Sequence, residues 1–190
     1  MSEITRAERR ATPETAWLPG YYAIRGVFSL TWVAAALTVG PMSPAVSAVL
    51  LVGYPAWDAL ANGADARRGA GLRHSPTQAV NVMVSVVTTL AVGAALTQNM
   101  NTVLAVFGVW AALAGALQLA TALRRRARAG GQWVMVVSGA QSVAAGAMFL
   151  VKAGGAPSPS VADIAPYAAF GALYFVVSAG WLAVSARRGR

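Results

Sequence analysis

The sequence predicts an all-α integral membrane protein, a six-transmembrane-helix bundle built from three helical hairpin repeats. Three observations predict it. The chain is 57% apolar and only 11% charged, whereas about a quarter of the residues of a soluble domain are charged. Its apolar residues fall into six runs, each close to the ~20 residues that a helix rising 1.5 Å per residue needs to cross a hydrocarbon core. The runs are apolar on every face, while a membrane barrel would show alternating segments of ~10 residues.

Residues 1–20 precede the first run. They mix Glu3, Glu8 and Glu14 with Arg6, Arg9 and Arg10 and include Pro13 and Pro19, so they read as a cytoplasmic N-terminal tail, disordered or lying on the headgroups. A cleaved signal peptide has a basic start and a short apolar core, and neither is present, so retention is expected. The transmembrane domain, 21–186, follows as Tyr21 to Val39, Pro44 to Asn62, Ala79 to Leu96, Thr102 to Ala122, Gln132 to Val151 and Ile164 to Ala186. Residues 187–190 form a basic C-terminal tail.

The connectors alternate in kind. Gly40 to Ser43 and Thr97 to Asn101 carry no charge, and Lys152 to Asp163 carries one basic residue among Gly, Pro and Ser. The other side holds Arg6, Arg9, Arg10, Arg67, Arg68, Arg73, Arg124, Arg125, Arg126, Arg128, Arg187, Arg188 and Arg190, thirteen of the fifteen basic residues. Basic short loops stay in the cytoplasm, which puts both termini there. Trp17, Tyr21, Tyr22, Trp57, Trp133 and Trp181 fall near the same ends of their segments, where amphipathic rings favour the headgroup level. The net charge of +9 therefore points to anionic lipid headgroups at the cytoplasmic face of a bilayer and not to nucleic acid. Arginine outnumbers lysine fourteen to one and alanine, glycine and valine dominate, a composition that suggests a bacterial source and hence the inner membrane.

Sliding the chain by 58 residues sets Pro41-Met42 over Asn99-Met100, Thr31 over Thr89 and Arg67-Arg68 over Arg125-Arg126. A slide of 63 sets Phe107-Gly108 over Phe170-Gly171 and Arg124-Arg125 over Arg187-Arg188. Three hairpins, 21–68, 79–126 and 132–188, are the simplest account. Gly108, Ala112, Ala116 and Ala120 recur every four residues, with Ser142 and Gly146 at the same spacing. Small residues so spaced let helix backbones approach closely, as seams of one bundle.

The candidate site is an intramembrane ion pair. Arg25 lies 16 residues before Pro41 and Asp58 lies 17 after it, so across a turn at Pro41 to Ser43 the two share a depth of roughly 24 Å from that turn. A charge at the bilayer centre costs about 2.5–3.5 kcal/mol on insertion scales, and an opposite charge on the next helix offsets much of it. Gly53 and Pro55 lie close by; the proline removes a donor and collides with the carbonyl at Leu51, which predicts a kink with a free carbonyl. With Tyr54 these groups make a candidate polar pocket. One reading is an ion or proton site; the other is a pair that fixes the register of two helices, with Arg25 snorkelling. A transport role predicts a polar cavity reaching past Pro55, and a scaffold predicts a tightly packed bundle.

Other chemistry finds no purchase. There are no cysteines, so no thiolate nucleophile or thiolate metal site exists. The one histidine, His74, stands in a basic loop without convergent donors, and neither a metal nor a cofactor is implied. No serine, histidine and carboxylate stand at a suggestive spacing and no phosphate-loop lysine follows the glycine-rich stretches, so an enzyme is not expected. Gln118, Gln141, Ser138, Ser178, Thr88 and Thr89 are candidate interhelical hydrogen-bonding groups, and Lys152 with Asp163 a surface pair.

An apolar helix, the proline turn Gly40-Pro41-Met42-Ser43-Pro44, a second helix with a central glycine in Leu51-Val52-Gly53, and a basic inner end together resemble the HdeD-like family of short-repeat bacterial membrane proteins. The similarity covers nearly the whole chain after the N-terminal tail and is clearest in the first and third hairpins. The second and third outer turns lack the compact Pro-Met-Ser-Pro form. The resemblance implies a non-enzymatic membrane protein in acid or envelope stress resistance, with no catalytic or binding residues to transfer. Two alternatives stand beside it, a small-solute or proton-coupled transporter with its site at Arg25 and Asp58, and a membrane anchor for a cytoplasmic partner.

Overall fold

The computed structural model describes residues 17–68, 71–74, 76–126 and 133–188; the tail over 1–16 and the last two residues lie outside it. The described residues form six long helices: α1 Leu18–Thr38, α2 Pro44–Arg68, α3 Pro76–Ala95, α4 Met100–Arg126, α5 Trp133–Ala153 and α6 Ala165–Arg188. All six are long and apolar enough to cross a membrane, and the chain is a multi-pass membrane protein. Single 3₁₀ turns at Gly40–Met42, Leu72–His74 and Val161–Ile164 join or precede them.

The helices outrun their apolar stretches at the arginine-bearing end. The first begins at Leu18, with Pro19 in its first turn, where a proline's missing N–H costs nothing; the expected tail therefore gives up 18–20 to α1. The second continues past Asn62 to Arg68. The last carries Arg187 and Arg188 as its final turn and not as a tail. In each case polar and basic residues extend the helix beyond the hydrocarbon core, where water and headgroups solvate them while the backbone keeps its internal bonds. Arg68 stacks over Trp17 at 4.6 Å from the ring centroid, joining the ends of α1 and α2 at the aromatic level.

The six helices make a closed ring in chain order. The most extensive contact is α4 with α5, then α1 with α6 and α2 with α3; the partners across two of the outer turns, α1 with α2 and α5 with α6, touch much less. The hairpins that repeat in sequence are thus not the closest-packed pairs. Tight packing of α4 on α5 comes from absent side chains. A Cβ added at Gly115 would lie 2.6 Å from the carbonyl oxygen of Gly139, and one at Gly146 would lie 2.6 Å from that of Gly108. Ala116 and Ala120 are exposed, so the seam follows Gly108, Ala112 and Gly115, and not the four-residue stripe.

One end of the ring is filled. Leu51, Val92, Leu104, Phe107 and Ile164 are fully buried there, and the Trp32 indole donates to the Leu50 carbonyl at 2.8 Å. That carbonyl neighbours the Leu51 carbonyl expected to be freed by Pro55, and α2 runs unbroken through the proline. At the rim, Ser160 and Asp163 form a reciprocal capping box, and Lys152 donates to Asp163 from a half-exposed position. An exposed pair contributes ~1 kcal/mol or less, so Lys152→Ala is expected to leave the thermal unfolding midpoint in detergent within about 4 °C of the parent.

Candidate functional site

The other end of the ring is hollow. A cavity of about 700 Å³ is lined by residues of all six helices and runs along α2 from Asp65 to Tyr54, about 17 Å at 1.5 Å per residue. Its mouth is bounded by His74, Thr77 and Gln78 in and after the basic connector between α2 and α3. Its floor is aromatic. Tyr54 meets Trp110 edge to face at 5.9 Å and Trp110 meets Tyr167 in the same manner at 6.2 Å. Below them lies the filled half of the ring. Between mouth and floor the wall presents side-chain amides and hydroxyls, among them Asn62, Asn81, Gln118, Gln141, Ser142 and Ser178.

The loose packing of α1 on α2 is what makes room for this lining, and polar groups bridge both loose seams. Across the first, Arg25 donates to Asp58 in a salt bridge whose side chains are 12% and 16% exposed. Across the second, the Tyr174 hydroxyl donates to Gln141 at 2.7 Å. The Arg25 guanidinium also donates to the Tyr21 hydroxyl at 2.9 Å and stacks over the Phe175 ring at 4.3 Å from its centroid, so one cation ties α1, α2 and α6 together. A guanidinium suits such a place because its planar fork serves several acceptors and its face stacks on a ring.

Asp58 is equally committed. Its second oxygen accepts the Ser85 hydroxyl at 2.8 Å, and Ser85 in turn accepts the Trp110 indole N–H at 3.2 Å. A continuous chain therefore runs Trp110, Ser85, Asp58, Arg25, Tyr21 across four helices. At the mouth Gln78 donates to Asp65, and Asn62 donates to the Asp58 carbonyl at 2.8 Å. Both carboxylate oxygens of Asp58 are thus hydrogen-bonded, as a buried charged group requires.

Of the residues singled out in the sequence, Arg25, Asp58 and Tyr54 stand together in the cavity wall. Gly53 and Pro55 do not line it: Gly53 faces a separate crevice on the outer side of α1 and α2, and Pro55 is buried in packing. Gln118 bonds Ser138 across α4 and α5. Thr88 and Thr89 instead bond back to Val84 and Ser85 of their own helix, the usual resort of a hydroxyl inside a helix. Sequence reasoning missed Ser85 and Trp110. A serine amid valines carries no spacing signal, and the tryptophan lies mid-span, away from the belt that would have drawn notice.

A profile described as a short repeat of unknown function (DUF308) matches residues 83–151, from the middle of α3 to near the end of α5, about a third of the chain. That stretch holds Ser85 and Trp110 but neither Arg25 nor Asp58. No curated protein and no solved structure matches the chain.

Proposed function

We propose that this protein is a non-enzymatic carrier for a small polar solute in a bacterial inner membrane, with both termini and the mouth of the cavity on the cytoplasmic side. The observation that carries the reading is a 700 Å³ cavity whose largely apolar wall carries a charge pair and several amides and hydroxyls, inside a ring of lipid-solvated helices, open at the arginine-bearing end and shut by apolar packing at the other. Amides, hydroxyls and a charge pair placed within a bilayer cost free energy unless they are paired or hydrated, and here they are gathered around an open space and not packed against one another throughout. A scaffold would fill the same space with alanine and leucine. Arg25 and Asp58 are the solute-binding pair in this reading, Tyr54, Trp110 and Tyr167 the floor against which the solute rests. The excess of arginine at one end of the helices supports the cytoplasmic orientation.

The test is a thermal-shift screen of the detergent-purified protein against amino acids, sugars, polyols and small organic cations, followed by uptake into proteoliposomes. At least one class is expected to raise the midpoint of the parent and to accumulate, with both effects lost in Asp58→Asn. A screen in which no class shifts the midpoint or enters above protein-free liposomes would sink the carrier reading. Because the chain lacks cysteine, His74→Cys gives a clean orientation probe: an impermeant maleimide should label it in inside-out vesicles and spare it in intact cells.

The resemblance to HdeD-like proteins supports a physiological setting in acid or envelope stress. Survival of a deletion strain at low external pH tests that setting, and undiminished survival would remove it while leaving the carrier reading untouched.

A further inference from the structure

The weak contact of α1 with α2 has a second consequence on the outer face of the ring. Between the two helices lies an apolar crevice of about 350 Å³, walled by Phe28 and Trp32 of α1 and by Leu50, Gly53, Trp57 and Leu60 of α2. It opens outward between lipid-facing side chains, since Val49 is 72% and Leu60 is 69% exposed. Gly53 keeps it open, for a Cβ there would meet nothing within 4 Å. From Val49 to Leu60 the crevice spans about 17 Å of helix, close to the ~15 Å that one leaflet contributes to the hydrocarbon core.

Polar groups stand at the arginine-side end of this slot. Trp57 lies 16 residues beyond Pro41, about 24 Å from the outer turn and hence some 6 Å inside the opposite boundary of a ~30 Å core. Glycerol ester carbonyls lie at that boundary, about one helical turn further out. The Trp57 ring stacks on Phe28 at 4.4 Å between centroids, and its indole N–H is buried with no acceptor among the described residues. The stacked pair therefore walls the slot within the acyl region, below the ester level. Residues 53, 57, 60, 64 and 67 share one face of α2. The slot therefore leads past the small Ala64 to the exposed Arg67.

We propose that the crevice between α1 and α2 is a binding site for an anionic glycerophospholipid of the inner leaflet, with one acyl chain in the slot and the phosphate beneath Arg67. The inference is independent of the carrier reading, because the slot and the cavity lie on opposite sides of the Phe28–Trp57 wall. A second copy of the chain is the rival occupant. It would need a bulky side chain to match the notch at Gly53, whereas lipid is already the solvent of this face.

The experiment is photolabelling of the full-length protein in liposomes containing phosphatidylglycerol with a diazirine on its acyl chain, the adducts being mapped by peptide mass spectrometry. Adducts are expected to concentrate on residues 28–35 and 49–60 and to be sparse on the equally exposed face of α3. Gly53→Leu, or Ala56→Leu if the first variant is not monodisperse, should abolish that concentration. Arg67→Gln should lower labelling by phosphatidylglycerol about fivefold while leaving labelling by the phosphatidylcholine analogue unchanged, since one arginine near the membrane surface accounts for an effect of about that size. Labelling spread evenly over all six helices, labelling indifferent to filling the notch, or replacement of lipid adducts by cross-links between two copies would each overturn the proposal. An unchanged lipid preference in Arg67→Gln would overturn its headgroup assignment.

Discussion

Asp58→Asn is expected to lower the thermal midpoint of the purified protein by on the order of 5–10 °C and to do so through Arg25. Removing one member of a buried ion pair costs about 3–5 kcal/mol when the other is left without compensation. The side chains are 12% and 16% exposed and line a cavity that water can enter, so the lower part of that range applies. Asparagine has one oxygen where Asp58 uses two, so it can accept from Ser85 or offer Arg25 a neutral oxygen but not both, leaving the cation chiefly with Tyr21 and the Phe175 face. Arg25→Gln should cost less, because Asp58 retains Ser85 and cavity water. The double variant Arg25→Gln/Asp58→Asn should be more stable than the sum of the two losses, with a coupling of about 1.5 kcal/mol or more from the double-mutant cycle. Independent, additive losses would mean that the two groups do not interact. The cycle also separates the two roles of the pair: if the double variant regains stability but still fails to bind the solute that stabilises the parent, the charges serve the cavity and not only the helix register.

How far these features were legible in the sequence depends on the length scale that sets each. The six spans were legible because bilayer thickness fixes the length of an apolar run, and nothing else in the chain competes with that signal. The meeting of Arg25 and Asp58 follows from equal distances to one tight turn, which spacing alone supplies. The ring closure was not legible. The seam of α1 on α6 rests on Gly26, where a Cβ would lie 2.9 Å from Val176, a contact between residues 150 positions apart with no periodic mark. The stripe through Ala116 and Ala120 failed for a geometric reason: steps of four residues on a 3.6-residue helix drift ~40° each. By the second step, at Ala116, they have left the seam, while Gly115, seven residues from Gly108, remains in it. The cavity was only half legible. Its carboxylate and guanidinium announced themselves as charges in an apolar run, but Ser85, Trp110 and Tyr167 are brought to it by the tilt and spacing of helices that one-dimensional patterns do not carry.

Gly146→Leu is expected to be among the most damaging single substitutions in the molecule. The Cβ would stand 2.6 Å from the Gly108 carbonyl oxygen, 2.7 Å from the Ala112 nitrogen and 3.0 Å from the Ala112 Cβ. Two of those atoms are backbone and cannot rotate away, so α4 and α5 must separate along their whole interface. Overpacking a well-ordered core costs about 1–3 kcal/mol where side chains can yield and more where they cannot. Here the loss extends further, because helices in lipid have no hydrophobic drive to re-associate and are held by the close backbone contact that glycine permits. Separation would also break the bond of Gln118 to Ser138 and loosen the wall that carries Gln141 and Ser142 into the cavity. The expected outcome is loss of a monodisperse peak in mild detergent, or a midpoint lowered by more than about 10 °C. Gly115→Leu, at 2.6 Å from the Gly139 carbonyl oxygen, should behave alike. Gly93→Leu is the control: nothing lies within 4 Å of its added Cβ, and leucine is the better helix former by up to about 1 kcal/mol, so the midpoint should hold or rise. A folded Gly146→Leu protein with an unchanged midpoint would show that α4 and α5 are not in backbone contact. The ring, with the cavity it encloses, would then have to be closed in some other order.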